Sequence, residues 1–542
     1  MAAFNEEFRF GSARFSRHDE IASAGLFRRK GLFLGYADGR PMFFSGDAPS
    51  ITIAGAGGGK LRDKLAFDLC GIRSFRNQWT HTVRRAFVQD LRGELTALSI
   101  HGLASLGIAA YAINPYGLHG LPQHRINPWD MLVRDSNTLD ADIKIQMRDL
   151  IVLSGSSHAE YFELRGQEWA EAFAKTHVFH TGGTSMPALY DIVNQCEDAG
   201  GWQQIELGML ASPYPEVHRV AKEIGNKRKD APKEYGAIMG ELYKSLSFLS
   251  DRKFYHALSG SDVSLEVLCQ QDARIANIVP AEYLAFTAAA QRALISGLMI
   301  YKQRHPAAPR IYAILDECGQ LGRCESVLRG YTYGRGMGLT FSTYWQDKGQ
   351  IARNFGEHAI SGLLGSSQVQ QYFAVRDLDT ARMISEMLGN ETVNFDEPLD
   401  QSAARRNKAR LIKRLLRGSD PFMTGINYNH EDRASRHRQK QQRPLRTPDE
   451  ILRMPEDEEL LFLSGKGLHP IRGNKYPYFT RPELAGAYLA NPYHPPRDRV
   501  RLATRSGVRW ARIVTERVPA KYAHFPQYQS GEWSYVEGYR PL

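Results

Sequence analysis

Three short stretches hold residues whose types and spacing suit chemistry on a phosphate. The first is Ile53-Ala54-Gly55-Ala56-Gly57-Gly58-Gly59-Lys60-Leu61. Glycines let a backbone curl until successive N–H groups point inward as an anion nest. A lysine closing the nest brings a mobile positive charge to the outer phosphates of a nucleotide. The expected nucleotide-binding residues are therefore Gly55, Gly57, Gly58, Gly59, Lys60 and Leu61. Two positions depart from the usual phosphate loop. Ala54 stands where its first glycine is expected, and Leu61 stands where a serine or threonine would offer Mg2+ a hydroxyl. A glycine-rich turn between a strand and a helix has the same composition, so the neighbours of this stretch decide its role.

The second stretch is Ile311-Tyr312-Ala313-Ile314-Leu315-Asp316-Glu317, an apolar strand ending in two acids. In phosphate-loop ATPases a strand beside the loop strand ends in an Asp that holds Mg2+, usually through water. Asp316 fits that role, and Glu317 fits that of the base polarising the attacking water. The alternative is a helix start, where acids are also favoured. The third stretch is Leu339–Tyr344, followed by Gln346. An amide there reaches both the terminal phosphate and the water; otherwise it is a polar loop residue. Arg335, in Gly334-Arg335-Gly336, and Arg329 are either solvated arginines or fingers reaching a neighbour's nucleotide. Asp90 and Glu94 flank another strand end and read as supporting acids or as helix-start residues.

These residues need a sheet to hold them. Gly31–Phe44 reads as a hairpin feeding the loop strand, within a lead-in of residues 1–49. A helix from Lys60 to about Cys70, the strand Arg85–Asp90, a helix to about Leu106 and the strand Ile108–Ile113 make a βαβ pattern with a parallel sheet. Residues 50–127 are thus the first part of an α/β domain. Residues 128–270 carry helical periodicity without clear strands and read as an inserted all-α domain. The sheet resumes over 271–482, interrupted by a basic loop at 401–446. Residues 483–542 are rich in Pro, Tyr and Arg with weak periodicity, and an irregular C-terminal extension is expected.

The 542 residues exceed one ordinary core. The five cysteines form no CxxC pair, which excludes a disulfide framework and the usual zinc patterns. No apolar run reaches the ~18–20 residues that span a bilayer. The net charge of +10 is local: residues 401–446 hold thirteen Lys and Arg against Asp420, Glu431 and Asp432, which accounts for the whole excess. A docking arm for a polyanion fits this, as does a solvated loop. The expected DNA contacts are Arg405, Arg406, Lys408, Arg410, Lys413 and Arg414.

In order along the chain, several of these stretches resemble the coupling proteins of type IV secretion, the TraG/TraD-type conjugative DNA transfer ATPases. Gly11-Ser12-Ala13-Arg14-Phe15 resembles their opening signature, and Gly31–Gly35 the hairpin before the phosphate loop. Asp90-Leu91-Arg92-Gly93-Glu94 resembles their Asp-x-Lys-Gly-Glu, with Arg92 for Lys. Ala112-Ile113-Asn114-Pro115 or Arg125-Ile126-Asn127-Pro128 resembles their Asn-Pro element. Leu315–Gly322, Arg335–Gln346 and Arg443–Ile471 resemble the acid pair, the arginine-to-sensor segment and the closing segment. The likeness spans roughly residues 8–482.

The resemblance implies a RecA-like P-loop domain with a central, mainly parallel sheet and an inserted all-α domain. It implies ATP and Mg2+ as cofactors, with Glu317, Gln346 and Arg335 as catalytic residues and Asp316 at the metal. It also implies a homo-hexamer that delivers relaxase-bound single-stranded DNA or effector proteins to secretion-channel components at the inner membrane of a bacterium. Relatives carry transmembrane helices before the Gly-Ser-Ala-Arg signature, whereas ten residues precede it here. The expectation is a cytoplasmic chain, peripheral to that membrane. A weak or inactive recruitment platform of the same fold, and a DNA-pumping motor of the related hexamer class, are the competing readings. The presence of Lys60, Asp316, Glu317 and Gln346 together favours an active ATPase.

Overall fold

The computed structural model describes residues 8–73, 79–81, 83–395, 398–417, 420, 423, 426–429, 432 and 439–541. It divides into two compact units. The larger comprises His18–Ala374, Glu456–Leu468 and Arg472–Leu542.

Its strands, in chain order, begin with β1 (Leu32–Ala37), β2 (Arg40–Phe44), β3 (Ser50–Ala54), and the short pair β4 (Ile72–Arg73) and β5 (Trp79–His81). They continue with β6 (Ala86–Leu91), β7 (Ala109–Ile113), β8 (Ala273–Val279), β9 (Ile311–Leu315), β10 (Leu339–Trp345) and β11 (Val369–Phe373). After β12 (Asn390–Phe395) and β13 (Gln439–Pro444), which belong to the smaller unit, come β14 (Glu458–Leu463) and β15 (Ile471–Asn474). One sheet of eleven strands runs β2-β1-β15-β14-β11-β3-β10-β9-β6-β8-β7. From β11 to β7 every pairing is parallel. β3, β8 and β10 are buried along their whole length, as expected of parallel strands covered on both faces. The order places β3, β10 and β9 side by side, so the three stretches that carry the chemistry end at the same edge.

Local sequence explains the joints. Asp90 accepts hydrogen bonds from Leu95 N, Thr96 N and Thr96 Oγ1 at 3.3, 2.7 and 2.6 Å and so caps the helix Glu94–Ser99. Of its two expected roles, Asp90 takes the helix-start one. Gly338 (φ +77°) ends the helix Glu325–Met337 in the left-handed conformation and turns the chain into β10. The helix Ala288–Arg304 is buried nearly all round, which is why its sequence shows no strong polar face.

Between β7 and β8 the described residues form helices and two isolated bridges, Ile126↔Val263 and Val133↔Gly183. Helices Leu139–Leu150, Glu160–Thr181, Met186–Gln195, Pro215–Asp230 and Pro232–Leu246 follow the apolar periodicity. Ala199–Leu210 is an additional helix, started by Asp198 accepting from Gly201 N at 2.8 Å.

The C-terminal region departs from expectation. Residues 483–542 are not irregular: β16 (Arg499–Thr504), β17 (Gly507–Arg517) and β18 (Glu532–Val536) form a three-stranded antiparallel sheet. Buried Val500 and Leu502 alternate with exposed Arg499 and Arg501, the period-two pattern of a half-covered strand. Tyr528 and Trp533 pack against Ala104, and Tyr528 Oη donates to His101 O at 2.5 Å. Among the described residues no helix is long and apolar enough to cross a membrane.

The smaller unit comprises Met1–Arg17, Val375–Pro455 and His469–Ile471. β12 and β13 pair antiparallel, and the helix Pro398–Leu416 crosses the expected basic loop. That stretch is therefore partly regular. Arg405, Arg406, Arg410 and Lys413 are exposed on it. Lys408 is half-buried, paired with Asp432 and 5.1 Å from the Tyr428 ring centroid. The surroundings of Arg414 lie outside the described residues.

Candidate nucleotide-binding site

β3 ends at fully buried Ala54, so the position lacking the expected glycine is still strand and needs no unusual backbone. The loop proper starts at Gly55, whose N–H donates to Ala374 O at 3.2 Å, while Gly58 N–H donates to Gly55 O at 3.0 Å. Gly57 and Gly59 have φ of +70° and +86°, a region that side-chain-bearing residues avoid. A Cβ on Gly58 would lie 2.7 Å from Ala374 Cβ. The glycines are thus required by conformation and by close packing.

Lys60 opens a π-helical turn, Lys60–Leu65, that runs into the helix Ala66–Cys70. Its Nζ donates to Glu317 Oε2 at 2.9 Å. Glu317 Oε1 accepts from Gln346 Nε2. Glu317 itself is held at φ +54°, a costly conformation for a residue with a side chain. Loops following β3, β9 and β10 therefore bring lysine, acid and amide into one linked row. Asp316 is 9% exposed. Burial raises its pKa to about 6, neighbouring Glu317 and Glu94 add to the rise, and Lys60 opposes it. A cluster with surplus negative charge and oxygen donors suits a hard divalent cation, which needs one or two carboxylates and completes its shell with water and phosphate oxygens.

Leu61 lines the cavity and packs, half-buried, against two apolar clusters around Phe67 and Leu69. It is a packing residue where a hydroxyl is usual. Arg335 does not line the cavity; its Nε lies 3.0 Å from Asp47 Oδ1 and its side chain is 64% exposed.

Lys475 and the segment from Tyr478 to Trp510 were not foreseen at the site, whereas Glu94 reads in the sequence as a supporting acid or a helix-start residue. Buried Lys475 donates to Gly58 O at 3.1 Å and to buried Asp63 Oδ2 at 2.8 Å, pinning the loop from below. Glu94 lines the cavity and accepts from Asn491 Nδ2 at 2.9 Å. The cavity, of about 960 Å3, is bounded by Gly57–Arg62, Asp316, Glu317 and Gln346, and also by residues from Tyr478 to Trp510. No local pattern in the sequence ties that last segment to the loop.

The family model for type IV secretory system conjugative DNA transfer matches residues 78–496. The type IV secretion system-coupling protein VirD4 of Bartonella quintana (strain Toulouse) is 25% identical over 355 residues, 63% of this chain and 50% of that protein. The conjugal transfer protein TraG of Rhizobium radiobacter is 25% identical over 267 residues, 49% of this chain and 38% of the relative. The chain thus spans about half the length, or less, of these curated relatives. Among solved structures, the bacterial conjugative coupling protein TrwBdeltaN70 in complex with sulphate superposes with a TM-score of 0.59 at 16% identity, over 88% of this chain and 96% of that one. TrwB in complex with the non-hydrolysable ATP analogue ADPNP gives a TM-score of 0.59 at 14% identity, over 88% and 96%. At these identities the likeness is one of fold, and the RecA-like α/β expectation holds.

Proposed function

The chain belongs to the type IV secretory system conjugative DNA transfer family, and from that premise we propose that it is a coupling ATPase. In this reading it recruits relaxase-bound DNA or an effector protein and drives delivery to a secretion channel by hydrolysing Mg2+–ATP. One observation carries the reading: Lys60, Glu317 and Gln346, from the ends of three neighbouring strands, are linked side chain to side chain. The carboxyl edge of a parallel sheet is where α/β proteins place their ligands.

The glycine N–H groups and Lys60 hold the outer phosphates. Asp316, with Glu94 nearby, would hold Mg2+, and the ion would supply charge neutralisation to the phosphates. A terminal phosphate competing for the Lys60 ammonium leaves Glu317 to Gln346, oriented to polarise water. Arg335, exposed and outside its own cavity, serves a nucleotide on a neighbouring copy in a ring. Arg405, Arg406, Arg410 and Lys413 contact DNA phosphates, which makes that affinity fall steeply with salt. The protein works on the cytoplasmic side of the inner membrane.

The test is DNA-stimulated phosphate release by the purified chain. Lys60→Ala and Glu317→Gln should each lower turnover by about 10²–10³-fold, the usual scale for losing one preorganised donor or one general base. No nucleotide binding at millimolar ATP and Mg2+ sinks the ATPase reading. A second reading, a recruitment platform that binds ATP without turning it over, is favoured by Leu61, which offers the metal no hydroxyl. It predicts measurable ATP binding with no phosphate release.

A further inference from the structure

We propose that the wall supplied by residues 478–510 is a base-and-ribose subsite for the nucleotide whose phosphates the glycine loop takes. The proposal rests on that phosphate-loop reading. The cavity has two kinds of lining. Glycine backbone, Lys60, Asp316, Glu317 and Gln346 suit a polyphosphate. Phe479, Leu489 and Trp510 present rings and apolar surface that no phosphate requires, and buried Tyr478 and Tyr488 back them. A flat π-system joined to a polyphosphate meets both.

This wall is built. The rings of Tyr478 and Tyr488 stand edge to face, 4.6 Å between centroids. Tyr488 Oη donates to Arg501 O at 2.5 Å. Leu489 N donates to Leu98 O at 3.0 Å, and Asn491 ties to Glu94. The segment is therefore anchored both to β16 and to the helix capped by Asp90.

Trp510 is the exception among the tryptophans whose side chains are described. Trp129, Trp169, Trp202, Trp345 and Trp533 are buried, whereas Trp510 is 56% exposed. On β17 it stands directly opposite Arg501 of β16. Cross-strand partners share one face, and both residues line the cavity. An indole beside a guanidinium offers a stacking platform for a base and a positive charge for the ribose-phosphate. Trp510 and Arg501 lie beyond the segment matched by the family model, whereas Tyr478, Tyr488 and Leu489 lie within it. Single-stranded nucleic acid stacks on similar platforms, but here the platform shares its cavity with the phosphate loop, which favours a mononucleotide.

The test uses the full chain with Mg2+ and calorimetric titration of two ligands, ATP and inorganic tripolyphosphate. The parent should bind ATP at least about 10-fold more tightly, a modest contribution for stacking on one ring. Trp510→Ala should erase most of that difference while leaving tripolyphosphate binding unchanged, and Trp510→Phe should restore it. Lys60→Ala should weaken both ligands. Equal affinities in the parent, or ATP binding untouched by Trp510→Ala, overturns the subsite and leaves the phosphate loop standing. Failure of both ligands to bind overturns the phosphate-loop reading and the subsite with it. If Trp510→Ala costs affinity for an oligothymidylate and not for ATP, the wall serves nucleic acid and the proposal falls.

Discussion

On the side of the cavity formed by the strand ends, the wall is backbone and charge. Gly57 and Gly59 adopt conformations reserved for glycine, Lys60 and Glu317 pair at 2.9 Å, and each group follows directly from a buried strand. On the side formed by residues 478–510, the wall is ring faces and a guanidinium, carried on turns and on the partly exposed β16–β17 pair. In the proposed reading the first side takes what all nucleotides share. The second offers surface for what distinguishes a nucleotide from a bare polyphosphate. The two differ in how they are held as well. The sheet positions the first through parallel strands, while a few polar ties position the second: Asn491 to Glu94, Leu489 to Leu98, and Lys475 to Asp63 and Gly58.

Lys475 is where the two sides meet, since it grips the loop and leads into the aromatic segment. Lys475→Met should have the largest effect, destabilising the fold by about 3–5 kcal/mol because Asp63 is left as a buried charge; the Arg62 Nε contact to Asp63 at 2.5 Å moves the cost toward the lower figure. Denaturant unfolding measures it. The double variant Asp63→Leu with Lys475→Met should regain most of that stability, as apolar replacements of buried pairs often do. It should not regain nucleotide affinity, because the Gly58 carbonyl is still unpinned. Full recovery of affinity would show that the loop holds its shape without help from the aromatic side.

Leu61→Thr tests the phosphate side alone. The new hydroxyl should lower the Mg2+ concentration for half-maximal ATP hydrolysis by about 5-fold, roughly the 1 kcal/mol of one added polar contact. The thermal midpoint should fall at the same time, because Leu61 leaves its place between two apolar clusters. An unchanged Mg2+ dependence would mean that Asp316 and water complete the metal's shell unaided.

The same contrast explains what could be read from the chain. Asp316, Glu317 and Gln346 each sit one or two residues beyond an apolar strand, and Lys60 closes the glycine run that follows another, so local pattern finds them singly and strand order then assembles them. Lys475 lies 412 positions from Asp63, and nothing local marks that pairing. The C-terminal sheet was missed for a related reason. β17 is mostly exposed, so it lacks the alternation that announces a strand, and its existence depends on pairing with β16 and β18. The helix Ala199–Leu210 was hidden by its glycines, Gly200, Gly201 and Gly208, and by a face with few buried residues. Arg335 was legible as an arginine near the site, but its place on Asp47 depends on tertiary packing.

The last test probes the link that carries the aromatic side. Asp90 caps the helix whose Glu94 receives Asn491. Burial pushes its carboxyl up to about 7, with Asp316 adding like charge, against three hydrogen bonds from Thr96 and Leu95 that favour the ionised form. An acid with a raised folded pKa keeps a proton that the unfolded chain has already released. Stability from this group is therefore greatest below about pH 4 and declines as pH rises toward 7. Asp90→Asn removes the titration while retaining an oxygen for the cap. The thermal midpoint of Asp90→Asn relative to the parent should therefore climb between pH 4.5 and 7.5 and level off above. A difference that runs the other way would mean that the three donors outweigh burial and hold Asp90 ionised. The cap, and with it the anchor of the aromatic wall, would then be strongest at neutral pH.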